Sequence, residues 1–394
     1  MLHTPSSPRL AAPTPVELPA FGELRRRASR PPEHRGPDFD EKFDDTTLFY
    51  DCFRLADGRV ALLGPPALNL RRHVESMQIR ALPGKAPCRF TFRELDRHGR
   101  LIVEAPAGAH ALELDFAGGR VELPIGPGET EIFAGRRVLL TLSRNNALHW
   151  IRDWVAFARD LHGADAVLFY DNASTRYSAE ELLAEIGAIP GIAAVRVVQW
   201  PFKYGPQGLD AKRYWDSDFC QHGAWEHARW RYLSAARSVQ NADVDELLLA
   251  RDGRSVFETV EADPWGVFRY RGRWVVGTSD TGIAADDPAR THRDFDIVLR
   301  RQPGRRLGIL PFDRAACAPK WTAVPHKCPP GAQWGVHSIR GWLASRRINP
   351  AFSYRHFREI GDSWKYDRNT RPEFDPALHE RDDALAAHFS RLRG

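Results

Sequence analysis

From Arg137 onward, short apolar runs alternate with stretches of helical period, and this order constrains the fold more than any other feature of the 394-residue chain. Val138 to Leu142 reads as a buried strand, followed by the polar loop Ser143-Arg144-Asn145-Asn146. Trp150, Trp154, Phe157 and Leu161 then recur at the spacing of one helix face, closed by Gly163. A second strand, Ala166 to Tyr170, runs into Asp171-Asn172. Ser178 and Glu181 are spaced as a capping box ahead of Leu182, Leu183 and Ile186, and Ala194 to Val198 is a third strand. Trp225, Ala228, Tyr232, Ala235 and Val239 predict the face of a further helix. Strands alternating with helices imply α/β architecture: a parallel sheet covered on both faces, with ligands at the carboxyl ends of its strands.

The chain ahead of this region has a different texture. Residues 1–40 carry eight prolines and the cluster Arg25-Arg26-Arg27, and read as a disordered, Pro-rich tail. Over 41–135, apolar runs such as CRFTFREL and HALELDF alternate in or out at every second residue and are broken by Asp57-Gly58, His98-Gly99 and Gly118-Gly119. That pattern predicts a small antiparallel β domain of sandwich type, with no cluster of catalytic character. Residues 136–370 form the α/β domain in this reading, and 371–394 a helical C-terminal tail. The 56 basic and 51 acidic residues give a net charge of +5 and are interspersed. Such a balance argues against a nucleic-acid partner and leaves room for a local anion site. Five widely spread cysteines without CxxC spacing read as free thiols. No run approaches the roughly 18 apolar residues of a membrane span, and the first residues lack the apolar core of a secretory signal. A cytoplasmic protein with no transmembrane segment is expected.

Asn241-Ala242-Asp243-Val244-Asp245-Glu246 is the segment richest in chemistry. In an extended segment Asp243 and Asp245 share one side while Val244 turns into the core. Two hard carboxylates so spaced can grip one Mg²⁺ or Mn²⁺ and leave positions free for a diphosphate. The same pattern also suits a polar strand end with solvated acids.

Several blocks, taken in order, resemble GT-A glycosyltransferases, especially the bacterial family-2-like group and glycosyltransferase family 92. They are LTLSRNNALHWIRDWVAFARDLHGADAVLFYDNAS (141–174), QHGAWEHARWRYL (221–233), NADVDELLL (241–249), KWTAVP (320–325), WGVHS (334–338) and YRHFR (354–358). The resemblance spans about 137–370 and leaves the β-rich part uncovered. It implies a Rossmann-like nucleotide-sugar domain and an inverting transferase that moves a sugar from a UDP- or GDP-sugar to a glycan or glycolipid acceptor. It further implies Mn²⁺ or Mg²⁺ held by Asp243 and Asp245, with His337 completing the shell. Ser143, Arg144, Asn145, Asp171 and Asn172 would hold the nucleoside, with Gln221 near the metal. Glu246 either belongs to the acidic motif or fixes its loop. Arg355, His356 and Lys365 stand as phosphate contacts, and Asp280, among several acids downstream of the D-x-D, as the general base. The family setting also brings a peripheral position at the inner membrane face.

Two other readings stay open. A nucleotidyltransferase shares the carboxylate–metal–phosphate logic, although no Gly-rich, basic N-terminal phosphate loop is present. A non-catalytic carbohydrate-binding protein would bind sugar without nucleotide. No G-x-S-x-G elbow, P-loop or H-E-x-x-H occurs. His222, Glu226 and His227 fail as a metal group, because His227 turns away from the face that the other two share.

Overall fold

The computed structural model describes residues 8–306, 310–361 and 371–391. Its spine is an 11-stranded mixed sheet. In chain order the strands are β1 (Arg9–Ala11), β2 (Arg137–Ser143), β3 (Ala166–Asp171), β4 (Ala194–Gln199), β5 (Ser238–Asn241), β6 (Glu246–Ala250), β7 (Val267–Val275), β8 (Ile297–Leu299), β9 (Ala316–Ala323), β10 (Ile348–Phe357) and β11 (His379–Arg381). In space they run β1-β4-β3-β2-β5-β9-β7-β8-β11, and β10 pairs with both β6 and β7.

The first five of these neighbours are parallel. From β5 to β11 every pairing along that path is antiparallel. The wholly parallel sheet expected from the strand–helix alternation is therefore confined to one half. Chain order reverses between β2 and β5, the point at which an α/β sheet opens a crevice at its carboxyl edge.

Helix α1 (Leu148–His162) buries Trp150, Ile151, Trp154, Val155, Phe157 and Ala158 against the sheet. It ends at Gly163, whose φ of 74° belongs to the left-handed region. Gly163 donates to the Arg159 carbonyl at 2.9 Å, the bond of an αL-type helix end, and Ala164 donates to the Ala158 carbonyl at 3.3 Å. Helix α2 (Ala179–Gly187) starts from the Ser178–Glu181 capping box, with both reciprocal bonds formed. Helix α3 (Phe219–His227) covers the opposite face and passes into one π turn, Ala228–Tyr232. The helix expected to carry Val239 therefore stops short. Val239 instead lies within β5, fully buried and paired with Val138.

The N-terminal unit holds two four-stranded sheets, each wholly antiparallel. Leu62, Leu101, Leu112, Leu114 and Phe116, drawn from both, share one buried core. The reading of residues 1–40 as a disordered tail fails from Pro8 onward. Arg9–Ala11 extends the large sheet by pairing with Arg196–Val198. Arg26 is 2 % exposed and donates to the carbonyls of Pro66, Asp44 and Thr47 at 2.8, 2.9 and 2.6 Å. Arg30 grips Asp216 through two bonds of 2.8 and 2.7 Å. Proline content and basic charge disguise this segment because its polar groups find partners far along the chain.

The unit is bolted to α3. Glu226 pairs with Arg100, and His227 lies 2.8 Å from Asp51 and 2.7 Å from the Tyr170 hydroxyl. At the other end of the chain, helix α4 (Asp383–Arg391) sends Leu385 and Phe389 into the main core. Among the described residues no helix is long and apolar enough to cross a membrane. The five cysteines are free thiols.

Candidate active site

A cleft of about 580 Å³ opens at the β2/β5 reversal. Leu142, Ser143, Arg144 and Asn146 form its wall at the end of β2, and Asp243, Asp245 and Glu246 line it from the β5–β6 connection. That connection is a tight turn in which Glu246 N donates to the Asp243 carbonyl at 3.0 Å. Val244 is 1 % exposed and packs in the core, which leaves the two flanking aspartates on the cleft.

The acids are held from behind by Lys320 of β9, which is 1 % exposed. Its ammonium lies 2.8 Å from Asp243 Oδ2 and 3.0 Å from Glu246 Oε2. Burial disfavours that ammonium, but Asp243 and Glu246 more than offset the effect and keep it protonated, above the ordinary lysine value. Glu246 Oε2 also accepts from the Asp243 backbone N–H at 3.0 Å. Burial, reinforced by Asp243 and Asp245, pushes the Glu246 carboxyl up to about 7 against the pull of Lys320 and His356. Glu246 thus fixes the turn. His356 of β10 places Nε2 3.1 Å from Asp245 Oδ2 and stacks on Trp274, with ring centroids 4.1 Å apart.

Whether a divalent cation fits can be read from the donors. Asp243 Oδ1 is buried with no hydrogen-bond partner, a hard oxygen left over beside Asp245. Among the described residues no three His, Cys, Asp or Glu side chains are grouped to hold a metal. The leftover Asp243 oxygen is the one donor observation in favour of a Mg²⁺-type cation, which can take one or two carboxylates and complete its shell with substrate phosphates and water. His337 lines the same cleft, but its Nδ1 faces the Pro319 carbonyl at 3.3 Å.

The remaining sequence candidates divide. Gln221 lines the cleft and accepts from the Tyr204 hydroxyl at 2.7 Å. Asp171 pairs in register with Ser143 behind the cleft wall. Its Oδ1 is buried without a partner, and burial raises its carboxyl above the usual range. Asn145 and Asn172 are occupied by the protein itself. Asn145 Oδ1 accepts from the backbone of Thr175 and Arg176 at 2.7 and 3.3 Å, and Asn172 donates to the carbonyls of Trp200 and Phe202 at 2.7 and 2.9 Å. Asn146, passed over in the sequence, is the asparagine on the cleft.

Three expectations need correction or fall outside. Asp280 lines a separate depression with Arg293, Asp296 and Arg381, so it does not serve this cleft as a base. Arg355 is buried and bonded to Asp382, because successive residues of β10 face opposite ways and His356 takes the cleft side. Lys365 lies outside the described residues.

The N-terminal unit also reaches the cleft. Its hairpin residues Asp96 and Arg97 are part of the wall. Arg97 donates to Asp218 at 2.8 Å and lies over the Trp215 ring at 4.2 Å. Trp215 is 52 % exposed, whereas Trp150, Trp154 and Trp225 are core. Asp96 pairs with Arg340 at 2.9 Å, so the two cleft acids outside the D-x-D turn each carry an arginine partner.

No family model matches the chain, and no curated protein matches it. Among solved structures, the crystal structure of GalNAc-T7 with UDP, GalNAc and Mn²⁺ aligns over 60 % of this chain and 45 % of its own, at 10 % identity and a TM-score of 0.28. This chain thus spans less than half of that neighbour's length. The likeness is distant and partial, and carries no weight for what this chain does.

Proposed function

We propose that the protein is a nucleotide-sugar glycosyltransferase of GT-A type that transfers a sugar to a hydroxyl acceptor. One observation carries the reading: the crevice where the sheet reverses gathers Ser143 and Arg144, the Asp243–Asp245 pair with its leftover oxygen, and the exposed Trp215 around one cavity. Ser143 and Arg144 would lie along the nucleoside, with Asp171 behind them offering its unpartnered oxygen to a base N–H or ribose hydroxyl. Asp243 and Asp245 would hold Mn²⁺ or Mg²⁺. When bound, that cation supplies charge to stabilise the departing nucleoside diphosphate.

This chain's own contribution is positioning. Lys320 and Glu246 hold the D-x-D turn from behind, and His356, stacked on Trp274, holds Asp245 from the side. Trp215 offers an apolar ring face at the mouth, a surface on which a sugar can stack.

Calorimetry with UDP and with GDP, in Mn²⁺ and then in EDTA, tests the reading. Binding that needs metal and disappears in Asp245→Asn is the expected result. No nucleotide affinity in either condition would overturn it in favour of a carbohydrate-binding scaffold, and pyrophosphate release from a nucleoside triphosphate would favour a nucleotidyltransferase.

A further inference from the structure

Beyond the D-x-D turn, the cleft wall holds a further polar atom without a partner. His222 stands in the first turn of α3, its backbone N–H donating to the Asp218 carbonyl at 3.1 Å. It lines the cleft and is 6 % exposed, and its Nδ1 is buried with no hydrogen-bond partner. A buried nitrogen left unpaired is unfavourable, and a bound partner relieves it. The Cε1–Nδ1 edge of the ring is turned toward Gly335, another residue of the cleft wall, where a Cβ would stand 3.5 Å from Cε1 and 3.8 Å from Nδ1. Gly335 is itself pinned, its N–H donating to the Ser338 carbonyl at 3.0 Å and its carbonyl accepting from the Trp321 indole at 2.7 Å.

The charges around this ring are already matched. Arg97 pairs with Asp218 at 2.8 Å and Arg340 with Asp96 at 2.9 Å, so this wall has no unmatched cation for a phosphate or a carboxylate. Burial, then the charge of Arg97 and further cationic neighbours, holds the His222 imidazole well below its ordinary value, so the ring is neutral. A neutral imidazole carries one N–H and one lone pair. A hydroxyl both donates and accepts, and so pairs with Nδ1 whichever of the two it presents. Arg97 also lies over the Trp215 ring at 4.2 Å, so His222 and the exposed indole share that guanidinium as a neighbour.

We infer that His222, through Nδ1, reads one hydroxyl of the sugar that is transferred, with Trp215 as the apolar face beside it. The assignment rests on the transferase reading and deepens it. With the nucleoside along the end of β2 and the diphosphate at the D-x-D turn, the sugar continues toward the wall that α3 and Gly335 share. His222 is there a specificity determinant, one that touches the substrate and neither takes nor gives a proton in the reaction. Nδ1 stays unpaired when the hydroxyl is missing, so a sugar lacking it is bound more weakly.

Calorimetry in Mn²⁺ with UDP-glucose, UDP-galactose and GDP-mannose picks the tightest donor, and its analogues deoxygenated at one carbon each are then compared with it. One analogue should bind wild type about tenfold more weakly than the parent, and in His222→Leu that penalty should fall to within about twofold. His222→Asn, whose amide stands near the place of Nδ1, should keep part of the penalty. Gly335→Ala, which crowds the same edge without touching the ring, should reduce it. The bare nucleotide should bind all three variants within about threefold of wild type, which certifies the fold. An undiminished penalty in His222→Leu overturns the assignment, and so does a wild type that tolerates the loss of every hydroxyl. Equal losses of bare nucleotide and nucleotide-sugar in His222→Leu also overturn it, since the residue would then be structural. A wild type with no nucleotide affinity at all is the distinct failure of the transferase reading, and this assignment falls with it.

Discussion

Replacing Lys320 by Met keeps the volume of the side chain and removes the one charge that lies against both Asp243 and Glu246. Lys320 and Glu246 are 1 % and 3 % exposed, so water cannot make good the loss. Taking one partner from a buried pair costs about 3–5 kcal/mol, because the other charge stays behind uncompensated. Two corrections pull that figure down. The Asp243 side chain is 32 % exposed and recovers some solvation, and the variant no longer bears the desolvation of the ammonium itself. A loss of about 3 kcal/mol at pH 8 follows. The loss should depend on pH in a definite direction. Glu246 has a carboxyl pushed up to about 7, above its unfolded value, so the folded state takes up the proton first as pH falls. At pH 6 Glu246 is already largely protonated in wild type and draws less from Lys320, so the deficit should shrink to about 2 kcal/mol. Urea unfolding followed by tryptophan fluorescence, in EDTA, measures both values. A deficit under about 1 kcal/mol at pH 8, or one that grows on acidification, would refute the account of Lys320 as the counter-ion of the turn.

Two further outcomes follow from the geometry. His162 is buried with Nδ1 accepting from Val256 N at 3.2 Å and Nε2 2.8 Å from the Leu248 carbonyl, an arrangement that requires the neutral ring. Burial pushes its pKa down to about 4. The unfolded chain therefore binds the proton first as pH falls below about 6.5, and the folded state should lose about 2 kcal/mol through this group between pH 7 and pH 5. His162→Gln should remove that share of the slope in paired urea titrations, and an unchanged slope would count against it. Asp280→Asn should leave nucleotide binding and any sugar transfer within about twofold of wild type, since the side chain lines a different depression, and a hundredfold loss of transfer would restore it as a candidate base.

What could be read from the sequence was what short-range pattern encodes. The spacing of Trp150, Trp154, Phe157 and Leu161 described a helix face, and Ser178 with Glu181 described a helix start, because both depend on neighbours within one or two turns. The D-x-D acids were visible for the same reason, although the extended segment expected around them is a turn. Lys320 was not visible. In the sequence it is a lysine in KWTAVP, and only the pairing of β9 with β7 and β5 brings it to Asp243, 77 positions away. Asn145 and Asn172 misled in the opposite sense: loop asparagines suggest a ligand, but here the backbone of neighbouring loops takes their hydrogen bonds.

Arg97 shows why the N-terminal unit resists being read as a separate module. Its hairpin enters the cleft wall and meets Asp218, 121 positions further on, just ahead of α3. The same helix carries Glu226 and His227, whose buried partners Arg100 and Asp51 lie in the β sheets. The contacts that fasten the unit and the contacts that shape the cleft thus run through one helix. Gly223 of α3 leaves no room between them, since a Cβ there would stand 2.4 Å from the Tyr50 ring. Any shift of the β sheets against α3 would displace Gln221 and His222, which face the cleft two residues and one residue before that glycine. The N-terminal unit is therefore part of the site's scaffold, and the cavity is a property of the whole chain rather than of the α/β half.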